Sequence, residues 1–325
     1  MHPAFSVIFL TTLIGAGQGL FLALITGQSY SALKLLPSQD STHFYAVGAG
    51  IVLLFLIGGL IASFFHLGRP ERAWRSATQW RTSWLSREVI ALPALMGLVF
   101  IYGVMQFMGW DMVLFTSNAG SNLSLTLIVG LLGVLATFAL FLCTGMIYAC
   151  LKFLQEWHSP LTVINYTLLG TSSGFILATA FANQNAPELM RFFGIWATII
   201  TVTAFISRIA SLLRNARLKP KSTMQTALGV RHNKIVQITM GFMGGSVNTR
   251  DFFHHASLAM MKNMKWIFIV FAFIVPVAIL WYGINHVDSV WLLAAFIVQY
   301  IGLLAERWFF FAQANHPQNL YYQTV

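Results

Sequence analysis

The chain has 325 residues, of which 57% are apolar and only 9% charged, with a mean hydropathy of +0.72 and a formal net charge of +10. A soluble domain cannot cover its surface with so few charges, so the composition excludes an ordinary globular enzyme and describes a chain that crosses a bilayer several times. The positive balance points to anionic lipid headgroups or a protein partner, not to nucleic acid.

Hydrocarbon about 30 Å thick needs roughly 20 apolar residues per helical crossing. Eight segments meet that need, near 5–27, 44–66, 87–109, 123–151, 160–183, 189–213, 264–284 and 289–312. The expected fold is therefore all-α, a polytopic membrane protein forming a single domain over 1–325. Short connections favour antiparallel neighbours, and two four-helix bundles are expected: helices one to four (about 5–151) carrying the site, five to eight (about 160–312) supporting it. The first segment has no basic n-region and no convincing cleavage pattern, so it reads as a retained helix. Gln18 lies inside it among Gly15, Gly17 and Gly19, where the amide either binds a carbonyl ligand or bonds a neighbouring helix.

Between the second and third segments, His66-Leu-Gly-Arg-Pro-Glu-Arg-Ala-Trp-Arg75 and Trp80-Arg-Thr-Ser-Trp-Leu-Ser-Arg-Glu88 hold five arginines, a histidine and two glutamates. His66 closes one helix and Glu88 opens the next, so both face one membrane interface. A histidine and a carboxylate there can hydrogen-bond the two oxygens of a quinone and pass protons. The same positions also suit simple capping of the helix dipoles, and Glu88 beside Arg87 suits an ion pair. Trp74, Trp80 and Trp84 fit an interfacial aromatic belt.

Cys143 and Cys150 lie seven apart in the fourth segment, a spacing that fits core positions and neither a metal site nor an iron–sulfur cluster. Histidines other than His66 fall in loops or at helix ends, which argues against a transmembrane haem. Electrons handled in this chain then need a diffusible quinone, ubiquinone or menaquinone. Glu306-Arg307 near the end of the eighth segment reads as an interfacial pair.

Seventeen of the nineteen lysines and arginines fall on one side, counting ten from Arg208 to Lys265, and only Lys34 and Arg191 lie opposite. Cytoplasmic flanks carry such an excess, so both termini are expected in the cytoplasm of a bacterium, with the chain in its inner membrane. The sixth loop, 214–264, is longer than topology requires. Its Gly241-Phe-Met-Gly-Gly-Ser-Val-Asn-Thr-Arg-Asp-Phe-Phe-His254 run suits a partner interface.

These residues carry a resemblance. His66-Leu-Gly-Arg-Pro-x-Arg-Ala-Trp, with Leu85-Ser-Arg-Glu88 downstream, resembles the signature of the dimethyl sulfoxide reductase membrane-anchor family. Gly17-Gln-Gly19, the eight spans and the Glu306-Arg-Trp-Phe-Phe310 ending extend it over most of the chain. The long loop and the tail most resemble anchors of cytoplasmic sulfite dehydrogenases. The resemblance implies a quinone-reactive anchor without haem, joined on the cytoplasmic face to an iron–sulfur subunit with four clusters and a molybdopterin catalytic subunit. It implies His66 and Glu88 at the quinone, and Gln18 and Arg69 extend that set. A menaquinol-oxidising anchor of a terminal reductase is the alternative direction, and a pure membrane tether the non-enzymatic one. A secondary transporter would place ionisable groups at mid-span, which the pattern lacks.

Overall fold

The computed structural model describes residues 1–116, 122–239 and 251–321. Residues 241–250 of the glycine-rich loop lie outside them. Among the described residues are eight helices long and apolar enough to span a bilayer: α1 (Phe5–Ala32), α2 (Thr42–Phe64), α3 (Trp84–Met108), α4 (Leu125–Ala149), α5 (Pro160–Asn185), α6 (Pro187–Ala216), α7 (Leu258–His286) and α8 (Ser289–Ala312). A multi-pass, all-helical membrane protein is the result. A small sheet pairs β1 (Val113–Thr116) with β2 (Asn122–Ser124) between α3 and α4.

The helix ends follow local chemistry. Ser83, Ser124, Ser159 and Ser257 each cap the helix that follows, their side-chain oxygens accepting a first-turn backbone N–H, and Asp288 does the same for α8. Gly109 ends α3 at φ 67°, a left-handed conformation that glycine adopts without strain. α7 carries a π-helical turn at Val270–Ile274 just before Pro276. Proline has no N–H for the carbonyl four residues back, which is that of Ala272. The Gln299 amide of α8 donates to that carbonyl at 3.3 Å and to Ser172 of α5 at 2.8 Å, so a neighbouring side chain replaces the lost bond.

Small residues decide how closely helices approach in a bilayer, because the hydrophobic effect does not draw apolar helices together there. Gly15 and Gly19 of α1 meet Gly170 and Gly174 of α5, four residues apart on each helix. A Cβ on Gly19 would collide with the Gly170 carbonyl oxygen, and one on Gly174 with the Gly19 backbone. α1 therefore touches α5 backbone to backbone while also packing on α2 and α4.

Eight crossings bring the start of α1, the α2–α3, α4–α5 and α6–α7 connections and the end of α8 to one side. The Met1 amino group donates to the Ala314 carbonyl at 2.7 Å there, tying the two ends of the chain together. The arginine-rich connection is a 3-10 helix, Pro70–Gln79, with no buried residue. Arg75, Arg81 and Arg87 each lie over a tryptophan ring, of Trp74, Trp80 and Trp84.

One expectation changes. α6 runs to Ala216 and α7 begins at Leu258, so the sixth connection is shorter than 214–264. Arg208, near the basic end of the sixth span, sits inside α6 with only 2% of its surface exposed.

Candidate functional site

A narrow cavity of about 30 Å³ opens between five helices on the basic side, lined by Thr12, Gln18, Glu88, Thr144, Tyr166 and Arg307 among others. The rise of about 1.5 Å per residue places Glu88, Thr144, Tyr166 and Arg307 roughly 6–9 Å inside the basic ends of α3, α4, α5 and α8. The cavity has room for about two waters and lies well below the range of about 300–1,000 Å³ typical of small-molecule sites, so the side chains lining it must part to admit a ring-sized ligand.

Glu88 reaches the cavity because Ser83 starts α3 five residues earlier and sets the helical phase. Its carboxylate accepts a hydrogen bond from the Thr144 hydroxyl of α4. A single hydroxyl leaves much of the carboxylate's accepting capacity unused. No ion pair joins Glu88 to Arg87 among the described residues; Arg87 instead donates to the carbonyls of Trp80 and Arg81 at 2.9 and 2.8 Å.

Gln18 is buried, and its amide N–H donates to the Thr137 carbonyl of α4 at 3.0 Å. It thus bonds a neighbouring helix while lining the cavity, so both of its expected roles meet in one side chain. Thr12 also lines it, in contact with the Tyr300 hydroxyl at 3.1 Å. Phe141 and the Tyr166 ring supply flat apolar walls. The arrangement offers a planar ligand with oxygen atoms an acceptor or acid at Glu88, amide and hydroxyl donors, and aromatic faces.

His66 and Arg69 lie elsewhere. Both are exposed on the basic surface just after α2, and neither lines the cavity. Partial desolvation at the helix end holds the His66 imidazole below the usual histidine range. The structure brings Gln18 and Glu88 together and leaves His66 and Arg69 at the interface between α2 and α3.

Arg307, Glu306 and Arg208 form a charge cluster, where the sequence alone presents an interfacial Glu306-Arg307 pair and a separate charge at the end of the sixth span. Glu306 is fully buried and Arg307 is 4% exposed. The Glu306 carboxylate holds Arg307 Nε at 2.6 Å and Arg208 Nε at 2.7 Å. The Arg307 guanidinium lies 4.0 Å over the Tyr166 ring and 5.0 Å over Phe310. Two arginines against one glutamate leave a net positive charge beside the cavity. A signal for the cluster exists in the sequence: Arg208 lies inside the basic-side end of an apolar run, where a lone charge asks for a buried partner.

Against known proteins, a sequence model described as the DMSO reductase anchor subunit (DmsC) matches residues 1–313. A sulfite dehydrogenase subunit of Allochromatium vinosum is 56% identical over 327 residues, an alignment covering all of both chains. An anchor subunit implies catalytic partners. With the matched region spanning all eight helices and the cavity between them, the chain belongs to the DMSO reductase anchor subunit family.

Proposed function

We propose that this chain is the quinone-reactive anchor of a molybdopterin and iron–sulfur oxidoreductase, passing electrons from sulfite oxidation to the quinone pool of a bacterial inner membrane. The observation that carries the reading is the cavity in which Glu88, bonded to Thr144, shares space with Gln18 and the Phe141 and Tyr166 rings. A quinone needs a flat slot, donors to its oxygens and a protonic group near an aqueous face. Glu88 supplies the protonic group and Gln18 orients the ring. His66 and Arg69 act from the adjoining interface, His66 as a proton carrier and Arg69 as an orienting charge. The full-length likeness to a protein of a sulfite dehydrogenase supports the choice of donor.

The basic side is proposed to face the cytoplasm, with both termini, the iron–sulfur subunit and the catalytic subunit there. No substrate-oxidising centre lies in this chain on this reading, and no haem is needed, because reduced iron–sulfur clusters of the partner supply the electrons. The reverse direction, quinol oxidation feeding a terminal reductase, uses the same site.

The test is sulfite-dependent quinone reduction by the intact purified complex in wild type, Glu88→Gln and His66→Ala, with soluble-dye activity measured alongside. Quinone reduction should fall on the order of 10²-fold while dye activity is retained. Undiminished quinone reduction in both variants would move the site elsewhere.

A further inference from the structure

Three cavities run in series from the basic surface to Glu88. A surface cavity of about 230 Å³ shares Glu156 and Asn215 with a polar cavity of about 10 Å³, room for about one water. The polar cavity shares Tyr166 and Arg307 with the cavity holding Glu88 and Gln18. Tyr166 and Arg307 are thus the wall between the proposed quinone slot and a polar interior.

That interior holds unmet hydrogen-bonding groups. Asn165 Oδ1 and Arg208 Nη2 are buried and make no aligned hydrogen bond among the described residues, while the buried Tyr166 hydroxyl and Arg307 Nη1 have only each other and the Tyr148 hydroxyl within reach there, in poor alignment. Asn165, Tyr166, Arg208 and Arg307 all line the polar cavity. Buried polar atoms without partners are costly and are usually met by ordered water. The neighbouring polar groups bond one another, Asn165 to Ser211 at 2.7 Å and Asn215 to the Glu156 carbonyl at 3.3 Å, which leaves the cavity lined with polar groups from mouth to wall.

We propose that Tyr166, backed by the Arg208–Glu306–Arg307 cluster, is the second proton donor of the site, fed with protons from the basic surface past Glu156. The proposal rests on the quinone reading of the cavity. Reduction of a quinone to a quinol takes up two electrons, delivered one at a time from a reduced iron–sulfur partner, and two protons. Glu88 serves one oxygen. At the other, the O–H bond of Tyr166 breaks as its proton passes to the quinone oxygen, and a proton relayed through water in the polar cavity restores the hydroxyl. The net positive charge of the cluster stabilises the negative charge that arrives with the electrons or is left on the tyrosine oxygen during transfer. A quinone with oxygens on opposite ends of its ring is thereby served from α3 on one side and from α5 and α8 on the other.

The experiment uses the intact complex and a short-chain quinone. In Tyr166→Phe, turnover at saturating quinone should fall at least about tenfold. The quinone KM and dye-linked activity should stay at wild-type values, since the ring wall remains. In Glu156→Gln, a smaller loss of quinone turnover should be restored by millimolar imidazole, a diffusible proton carrier, with dye-linked activity in the same buffer as the reference. Tyr166→Phe turnover within twofold of wild type, beside a Glu88→Gln variant that has lost it, overturns the second-donor proposal and leaves the quinone site standing. A raised quinone KM with unchanged saturating turnover also overturns it, reducing Tyr166 to a wall. Full turnover in Glu88→Gln and Tyr166→Phe alike means that the quinone reading itself is wrong.

Discussion

The Thr144 hydroxyl of α4 donates to the Glu88 carboxylate of α3 within the membrane, at the base of a cavity that α1, α5 and α8 complete. A carboxylate there is expensive to bury, and one hydroxyl does not offset the loss of water. Such a group is poised to take or give a proton to whatever else enters the cavity.

Thr144→Val should therefore weaken quinone reduction in the intact complex by about tenfold, less than Glu88→Gln, because the carboxyl group remains but loses its hydroxyl partner. Removing one partner of a buried bond costs about 1–3 kcal/mol. Comparing quinone-linked with dye-linked rates measures the effect. A Thr144→Val complex as active as wild type with quinone removes Thr144 from the site.

Much of this is legible in the sequence. Eight apolar runs correspond to eight helices, and both Glu88 and Gln18 stand out as polar groups in or beside apolar runs, without the cavity that joins them. Arg208 inside an apolar run asks for a buried partner, but which partner is hidden, because Arg208 lies 98 residues from Glu306 and no helical spacing links α6 to α8. The position of His66 outside the cavity is hidden for a different reason. Its nearness to Glu88 along the chain reflects a shared membrane interface, whereas α3 turns Glu88 inward toward α4.

The glycine contact between α1 and α5 predicts assembly defects of a specific kind. Gly174→Leu places a side chain where the Gly19 backbone already stands, so the helices must part. Overpacking of this sort typically costs about 1–3 kcal/mol, and backbone contact puts it at the upper end. Gly50→Ala is the control, since nothing lies within 4 Å of its added methyl. Thermal unfolding of the detergent-solubilised complex should shift downward for Gly174→Leu and stay unchanged for Gly50→Ala.

Acidification should loosen the packing of the 251–256 segment on the C-terminal segment. His316 stacks on Phe252 with ring centroids 3.8 Å apart, and the Asn319 amide donates to the Phe252 carbonyl at 3.1 Å. Desolvation first, and the positive amino terminus second, hold the His316 imidazole below its ordinary value of 6.5. The unfolded segment then binds more protons than the packed one near that value. The stabilisation is fully present above pH 6.5 and is lost as pH falls through 6.5 toward the lower folded value. Hydrogen exchange of residues 251–256 should accelerate between about pH 7.5 and 5.5 beyond the intrinsic pH dependence of exchange, and His316→Gln should reduce that excess, the remainder coming from His254 and the Met1 amino group, which desolvation also holds below their ordinary values.

The basic connection between α6 and α7 should dock the soluble partner. Arg217, Lys219, Lys221, Arg231 and Lys234 are exposed, and apolar Val236 and Ile238 beside them are 61% and 96% exposed. Apolar side chains this open beside a row of cations form a surface suited to an acidic partner with an apolar centre, and exposed charges chiefly speed encounter. Replacing these five cations with glutamine should leave membrane insertion intact while lowering the association rate with the soluble subunits by at least about tenfold at low salt. Raising ionic strength should shrink the difference, because the Debye length falls from about 10 Å at 0.1 M to about 3 Å at 1 M. Changing Ile238→Ser alone should act differently, raising the dissociation rate with little change in salt dependence. If the five-cation variant associates at the wild-type rate at low salt, the partner docks on another part of the basic face, and the arginine connection at Pro70–Gln79 becomes the surface to test.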